Sequence, residues 1–444
     1  MTNFTIRTIF RSGDADRKRH AKGGRRFLAL IILGMGLWGF GAPLGSALSS
    51  DDEIVLGAAT SLGFLEGRES LAAAKLAVSE INARGGVQVG GRSRRLKIES
   101  VDLKGAMPGT PVSHAVDSLE RLIVEKKVHA LVVGPFRSEV LLAAMDLIAA
   151  KRLPMLGAIA MSPASDAKIL KDPRYKYIFR VCLNAKYLVD YLIDTMKHLK
   201  ARYGFTRVYM MNQDVAWTRT AASLLIRLYF DRAGWEILGV DHYPSGAADF
   251  SKGLSAAESS GAQVILPLFD MPASAHLVKQ WHAMEPKALL CGFISPMVGP
   301  GAWESFQGKI AGSLNVIFEL GNIPSTRWEP AVRFHRAYRE QYGREIESGH
   351  GPAPAYESVY ILAEAIEKAG TLEPDRIVEA LKTTDRLGVM GRVRFHRGHQ
   401  AYFGDDPESE SLACIFQWQK DGTRKIVFPL SIAEGEIELP ARQE

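Results

Sequence analysis

Apolar positions in this chain fall in short runs separated by stretches of helical period. The first run, Ile54–Ala59, meets a small-residue turn and then an amphipathic segment that ends near Ala83. Gly85 and Gly86 stop that helix, and a Gly90-Gly91 turn leads into a second apolar run, Leu96–Val101, which together make a β-α-β opening for a parallel sheet. The alternation predicts strands over 54–59, 95–101, 129–133, 154–157 and 177–181, with helices near 66–84, 109–126 and 138–150. A second series follows: strand 206–211, helix 217–234, strand 236–241, helix 250–260, strand 263–268, helix 272–283 and strand 288–291. Beyond it Ile310–Phe318 starts a strand, and Glu329–Tyr342, Tyr356–Ala369 and Pro374–Thr383 read as helices. Gly388–Phe395 and Leu412–Pro429 read as strands with turns between them, and the tail Leu439–Glu444 as frayed. Such alternation marks doubly wound sheets. Two series joined near Phe179–Asn184, followed by segments that must be shared between them, predict an α/β chain of two lobes with several hinge crossings and a cleft between them.

What precedes the first run changes the compartment. Arg17, Lys18, Arg19, Lys22, Arg25 and Arg26 form a basic region, Phe27–Phe40 an apolar one too short for a comfortable span, and Gly45-Ser46-Ala47 or Ala47-Leu48-Ser49 a small-residue cleavage site. Residues 1–49 thus read as a signal peptide, an uncleaved anchor being the competing reading. The leader's Lys and Arg account for much of the net charge of +6, so the rest is close to neutral and offers no electrostatic support for nucleic-acid binding. Arg92, Arg94 and Arg95 fit a solvated hairpin. The three cysteines, Cys182, Cys291 and Cys414, lie far apart, so at most one disulfide can form. Cys291 and Cys414 sit in apolar runs as buried thiols.

Several segments in order carry a family likeness. AAKLAVSEINARGGVQVGGRSRRLKI, VHALVVGPFRSE, LPMLGAIAMSPAS, YKYIFRVC, GPAPAYESVYILAEAIEKAG, MGRVRFHRGHQAYF and FQWQKDGTRKIVFP span Glu53 to Pro429. The chain resembles the type I periplasmic substrate-binding proteins of ABC importers, specifically their branched-chain amino acid (Leu/Ile/Val-binding) group. The resemblance implies two doubly wound parallel-sheet lobes joined by three hinge crossovers, here near Phe179–Asn184, Asn315–Glu319 and Arg392–Arg397. Lobe 1 would hold 50–181 and 317–394, lobe 2 184–315 and 397–438. It also implies a periplasmic protein that binds a small molecule and works with ABC permease and ATPase subunits, without a cofactor and without nucleic acid. It would meet the membrane only through the permease or an uncleaved leader.

The family's ligand carboxylate is held by a lobe-one serine, which falls on Ser138. That residue is expected to open the helix 138–149, where free N–H groups and the helix dipole favour an anion. In the next loop, Gly157–Ser162, the usual hydroxyl position falls on Met161. Ser162 substitutes only with a one-residue shift, and the backbone N–H groups of Ile159 and Met161 remain available. Lobe two's aromatic falls on Trp217, which would close over a ligand at a helix start. Phe269 and Asp270 are expected at the next strand end, Phe64 and Leu65 at the cleft rim, and Tyr356 near the cleft from the late helix. The family's acidic partner for a ligand ammonium has no counterpart in Leu289–Ser295. Either Asp270 supplies that charge, or, as the apolar candidates favour, the ligand is an apolar or aromatic carboxylate or amide with no ammonium.

Other classes are weaker. The glycines of 85–91 lack the Lys-Ser/Thr of a phosphate loop. His396 and His399 have metal-like spacing but no Cys or carboxylate in step. No acid/base or nucleophile set converges, which argues against an enzyme. A ligand-sensing module of the same fold is the alternative to transport.

Overall fold

The computed structural model describes residues 53–285 and 287–439, which belong to one compact unit. The leader expected over 1–49 and the tail beyond Leu439 lie outside the described residues. The chain opens with β1 (Glu53–Thr60), α1 (Leu65–Ala83), β2 (Val87–Val89), β3 (Arg92–Asp102), α2 (Val112–Lys126), β4 (Ala130–Val133), α3 (Ser138–Ala150), β5 (Met155–Gly157), α4 (Ala164–Lys171) and β6 (Ile178–Arg180). These strands form one sheet in the order β2-β3-β1-β4-β5-β6, parallel except for the β2–β3 hairpin. β1 is buried along nearly its whole length because both its faces and both its edges are covered, which is why its sequence reads as an unbroken apolar run.

The chain then leaves this sheet through α5 (Ala185–Tyr203), a helix that the reading of the sequence passed over. Its signals are present. The Asn184 side chain caps it by accepting from the Tyr187 N–H at 3.0 Å, Leu188, Leu192, Met196 and Leu199 lie on its buried face, and Gly204 ends it in the left-handed region. There follow β7 (Arg207–Gln213), α6 (Ala216–Leu225), β8 (Glu236–Tyr243), α7 (Ser251–Ser259), β9 (Val264–Phe269), α8 (Ala275–Ala283), β10 (Leu289–Ile294), the single turn α9 (Ala302–Ser305) and β11 (Leu314–Ile317). Next come α10 (Glu329–Tyr342), α11 (Pro352–Ala369), α12 (Pro374–Leu381), the two-stranded hairpin β12 (Arg386–Gly388) and β13 (Gly391–Val393), and finally β14 (Cys414–Trp418) and β15 (Arg424–Phe428). The second sheet has the order β15-β14-β11-β10-β9-β7-β8, parallel from β11 to β8 and antiparallel at the β14–β15 edge. β9 and β10 approach so closely that a Cβ on Gly292 would meet the Pro267 backbone. The fold is therefore α/β, with two doubly wound, predominantly parallel sheets.

α11 packs along α1, on the first sheet, although more than 250 residues of sequence separate their starts. The chain thus crosses from the first sheet to the second, back again, and across a third time. The third crossing departs from the expectation of 392–397. Arg180 of β6 donates its N–H to the His399 carbonyl and accepts from the Ala401 N–H, so the chain stays beside the first sheet through Ala401 and joins the second only at β14.

Two of the crossings meet at one carboxylate. Glu319, fully buried, accepts the N–H groups of Leu183 (3.0 Å) and Gly351 (3.2 Å), the Asn322 amide (2.8 Å) and the His350 ring (3.0 Å). His350 directs its other ring nitrogen at the Ile159 carbonyl, 2.7 Å away. Both of its partners are acceptors, so both ring nitrogens carry protons and the pair is an imidazolium–carboxylate. Burial works against this charge, but Glu319 and the Ile159 carbonyl outweigh it and the His350 pKa is raised. Gly351, at φ 103°, allows the turn that presents His350; a Cβ there would strike the Ser70 hydroxyl.

Removing one member of such a buried pair leaves the other charge uncompensated. Glu319→Ala is expected to destabilise the fold by about 3–5 kcal/mol in urea unfolding, and a loss under 1 kcal/mol would contradict this account. Because the folded His350 pKa lies above its unfolded value, its contribution is complete below about pH 6.5 and disappears as pH rises through the folded pKa. The stability gap between the parent and His350→Gln is expected to be widest at acidic pH and to narrow on the alkaline side.

Candidate functional site

In a doubly wound sheet the loops that follow the strands converge at their carboxyl ends, where strand order reverses. Here the loops of both sheets do so around one cavity of about 490 Å³. The first sheet contributes Glu66 after β1, Phe136 to Ser138 after β4, and Ile159 to Ala164 after β5. The second contributes Val215 to Trp217 after β7, Asp270 after β9, Phe293 near the end of β10 and Phe318 after β11, while His350 enters ahead of α11. The walls are mostly apolar, with a few polar groups placed among them, as in small-molecule sites.

Ser138, Ile159, Met161, Trp217 and Asp270 all line this cavity. Ser138 is the first helical residue of α3 rather than its cap. Arg137 holds the cap position and its side chain makes no capping bond, so the first N–H groups of α3 stay free of a side-chain partner. The Ser138 hydroxyl bonds to no other group among the described residues. In the β5 loop the N–H groups of Ile159 and Met161 likewise donate to nothing among the described residues. The Ile159 carbonyl, by contrast, is taken by His350. Ser162 also lines the cavity, its hydroxyl accepting from the Ala164 N–H at 3.2 Å and its carbonyl from buried Arg180 at 2.6 Å.

Four expected residues lie elsewhere. Phe269 is fully buried and packs edge-on against Phe250, 5.5 Å between centroids. Neighbouring residues of an extended segment point to opposite sides, so with Asp270 in the cavity Phe269 must face the core. Tyr356 turns toward α1, where its hydroxyl donates to Glu80 at 2.5 Å and its ring meets Phe334. α11 starts at Pro352, one turn earlier than expected, and the end that reaches the cavity is His350. Phe64 stands behind the wall, 5.3 Å from the Phe136 ring that lines it. α1 begins at Leu65, and with about 100° between successive residues it is Glu66, not Phe64 or Leu65, that faces the cavity. The rim turn therefore does carry a charge.

The cavity's two inner carboxylates are bound differently. Asp270 accepts the Trp217 indole N–H (2.9 Å) and the Gln213 amide (2.8 Å), and lies 3.5 Å from the Arg137 guanidinium across the cleft. Gln213 in turn accepts the backbone N–H groups of Asp270 and Met271, which fixes the loop. Glu66 accepts one side-chain hydrogen bond, from the Ser295 hydroxyl at 3.2 Å, also across the cleft. Burial raises its pKa above the usual carboxylate value. Its backbone hydrogen bond and His350 oppose this shift, and the nearby Asp270 charge adds to it. Phe293 joins Trp217 and Phe318 at centroid distances of 6.2 and 4.4 Å, and Phe318 meets His350 at 4.9 Å, giving a continuous aromatic wall. Sequence reading missed Glu66, Arg137, Phe293, Phe318 and His350.

The thiols and the paired histidines take no part in the cavity wall. All three cysteines are buried and free, and burial pushes Cys291 up to about 12. The His399 ring stacks on Phe179 at 4.1 Å and burial lowers its pKa to about 4. Among the described residues no cluster of candidate metal ligands occurs, and no helix is long and apolar enough to cross a membrane.

Two facing sheets with a ligand-sized cleft at their strand ends define a binding protein of the two-sheet α/β class. The sequence matches the family described as periplasmic binding protein over residues 55–422, and the chain belongs to that family, whose members are binding proteins and not enzymes. It is similar to the Leu/Ile/Val-binding protein homolog 7 of Brucella melitensis, 24% identical over 387 residues that cover 85% of this chain and 90% of the relative. Among solved structures it is similar to the branched-chain amino acid transporter substrate-binding protein LivJ of Streptococcus pneumoniae in complex with isoleucine. That match has a TM-score of 0.67 and 20% identity, and covers 85% of this chain and 99% of that one. It is also similar to an ABC transporter substrate-binding protein from Sphaerobacter thermophilus, with a TM-score of 0.69, 18% identity, and coverage of 87% and 99%.

Asp270 holds Trp217 and faces Arg137 while being only partly exposed. Asp270→Asn is expected to cost about 1.5–3 kcal/mol of stability, read by urea unfolding, since hydrogen bonds to a charged group are worth about that much. A neutral result would mean that the Trp217 and Gln213 contacts are dispensable.

Proposed function

We propose that the protein is exported to the periplasm and captures a small organic ligand in the cleft between two lobes for delivery to an ABC importer. The observation that carries this reading is the 490 Å³ cavity itself, walled by aromatic rings and supplied with polar groups from both sheets. Lobe 1 corresponds to the first sheet with α10 to α12, and lobe 2 to the second sheet with its helices. Ser138, the open N-terminus of α3 and the free N–H groups of Ile159 and Met161 form a donor face suited to a carboxylate or carbonyl. Trp217, Phe293, Phe318 and Phe136 suit an apolar or aromatic body. Family membership, the leucine-type binding names of the relatives and the isoleucine complex of a structural neighbour support an amino acid or related acid as the class of ligand. A ligand that touches both lobes stabilises the form in which they face each other, because only differential contact shifts such an equilibrium. A permease and an ATPase are the partners this reading requires.

A thermal-shift screen of the protein lacking residues 1–49 against amino acids, aromatic acids, short-chain acids and amides tests it. A true ligand at about 100 times its Kd adds about 2.7 kcal/mol of stability and raises Tm. Trp217→Ala is expected to weaken that ligand at least about tenfold in calorimetry, equivalent to about 1.4 kcal/mol. A screen in which no compound raises Tm would sink the reading.

A further inference from the structure

We propose that Glu66 recognises a protonated amine on the ligand, so that the cavity selects an apolar or aromatic amino compound over its deaminated counterpart. This rests on the reading of the cavity as a ligand site. β10 contains no acid and is followed by Ser295, and the Glu66 carboxylate reaches that point from the other side of the cleft to accept the Ser295 hydroxyl at 3.2 Å. No Lys or Arg pairs with Glu66 among the described residues.

The remaining charges facing it do not neutralise it. His350, at the start of α11, is matched by Glu319 behind it. Asp270, after β9, is negative, and it is Asp270 rather than Glu66 that meets Arg137. Glu139 also lines the cavity, and it is exposed to solvent. With Glu66 ionised, counting it and Asp270 against Arg137 and taking the His350–Glu319 pair as neutral, the inner cavity carries one unmatched negative charge. A single ligand cation balances it. The two inner carboxylates are thereby told apart. Asp270 already receives an indole, an amide and a guanidinium and serves to position Trp217. Glu66 has two neutral donors, the Ser295 hydroxyl and its own backbone N–H, and keeps lone pairs for an ammonium. Burial holds its pKa high when no cation is near, so an ammonium that binds there also drives it to the charged form. The aromatic wall of Trp217, Phe293 and Phe318 then takes the ligand's apolar body.

Matched pairs test the assignment by calorimetry: phenylalanine against 3-phenylpropanoate, leucine against 4-methylpentanoate, and tryptophan against indole-3-propanoate. The amine-bearing member of a pair is expected to bind at least tenfold tighter to the parent protein. Glu66→Gln, nearly identical in shape, is expected to reduce that preference to about threefold or less, whereas Asp270→Asn weakens both members of a pair alike. The comparison within the parent protein stands even if a variant is poorly folded. Equal or tighter binding of the deaminated acids overturns the role of Glu66 while leaving the cavity as a ligand site. Loss of the preference in Asp270→Asn and its retention in Glu66→Gln overturns it too. If no member of any pair binds and the wider screen is also silent, the capture reading fails and the assignment falls with it.

Discussion

The structure depends on a carboxylate that solvent does not reach. Glu319 takes hydrogen bonds from the segment leaving the first sheet (Leu183), from its own segment (Asn322) and from the turn that opens α11 (His350 and Gly351). A buried charge is tolerated only when donors surround it, and here the donors come from three separate stretches of the chain. The same requirement fixes the relative placement of the cavity wall. His350 is held by Glu319 on one side and holds the Ile159 carbonyl on the other, so the loop after β5 and the start of α11 are set by one proton-rich ring.

Around the cavity, the polar groups divide into those that are already satisfied by the protein and those that are not. Asp270, Gln213 and the Trp217 indole form a closed set that gives the second sheet's rim a defined shape. The α3 N-terminus, the Ile159 and Met161 N–H groups and Glu66 are less completely paired. They lie among apolar rings, where an unpaired polar group interacts more strongly with whatever reaches it than it would in water. Stability and recognition are thus separated by hydrogen-bond count within one ring of residues.

Much of the fold was legible because central parallel strands must be apolar along their length, and β1, β4, β9 and β10 announce themselves that way. α5 is marked by Asn184, Gly204 and its apolar face, but it lies between the two strand-and-helix series rather than inside either, so the alternation does not single it out. In the site, residues that follow directly from a strand end, such as Ser138, Met161, Trp217 and Asp270, could be placed once the family resemblance aligned the strand ends. Phe269 was misplaced by a single position, which in extended chain reverses the side chain. Glu66 needed the true start of α1. His350, Phe293 and Phe318 were out of reach for a different reason. They meet Glu66 only after the chain has crossed between sheets, and no local spacing encodes that meeting.

The two contacts that cross the cleft, Glu66 with Ser295 and Arg137 with Asp270, also bear on time as well as affinity. Parting the lobes requires both to break, whichever direction a ligand is travelling. The ion pair is partly exposed and long, so dissolved salt weakens it, while the hydroxyl–carboxylate bond is little affected by salt. Ionic strength therefore acts on the rate at which the cleft opens more than on what it prefers to hold. On the proposed capture reading, dissolved salt sets how quickly a bound molecule is exchanged rather than which molecule is bound.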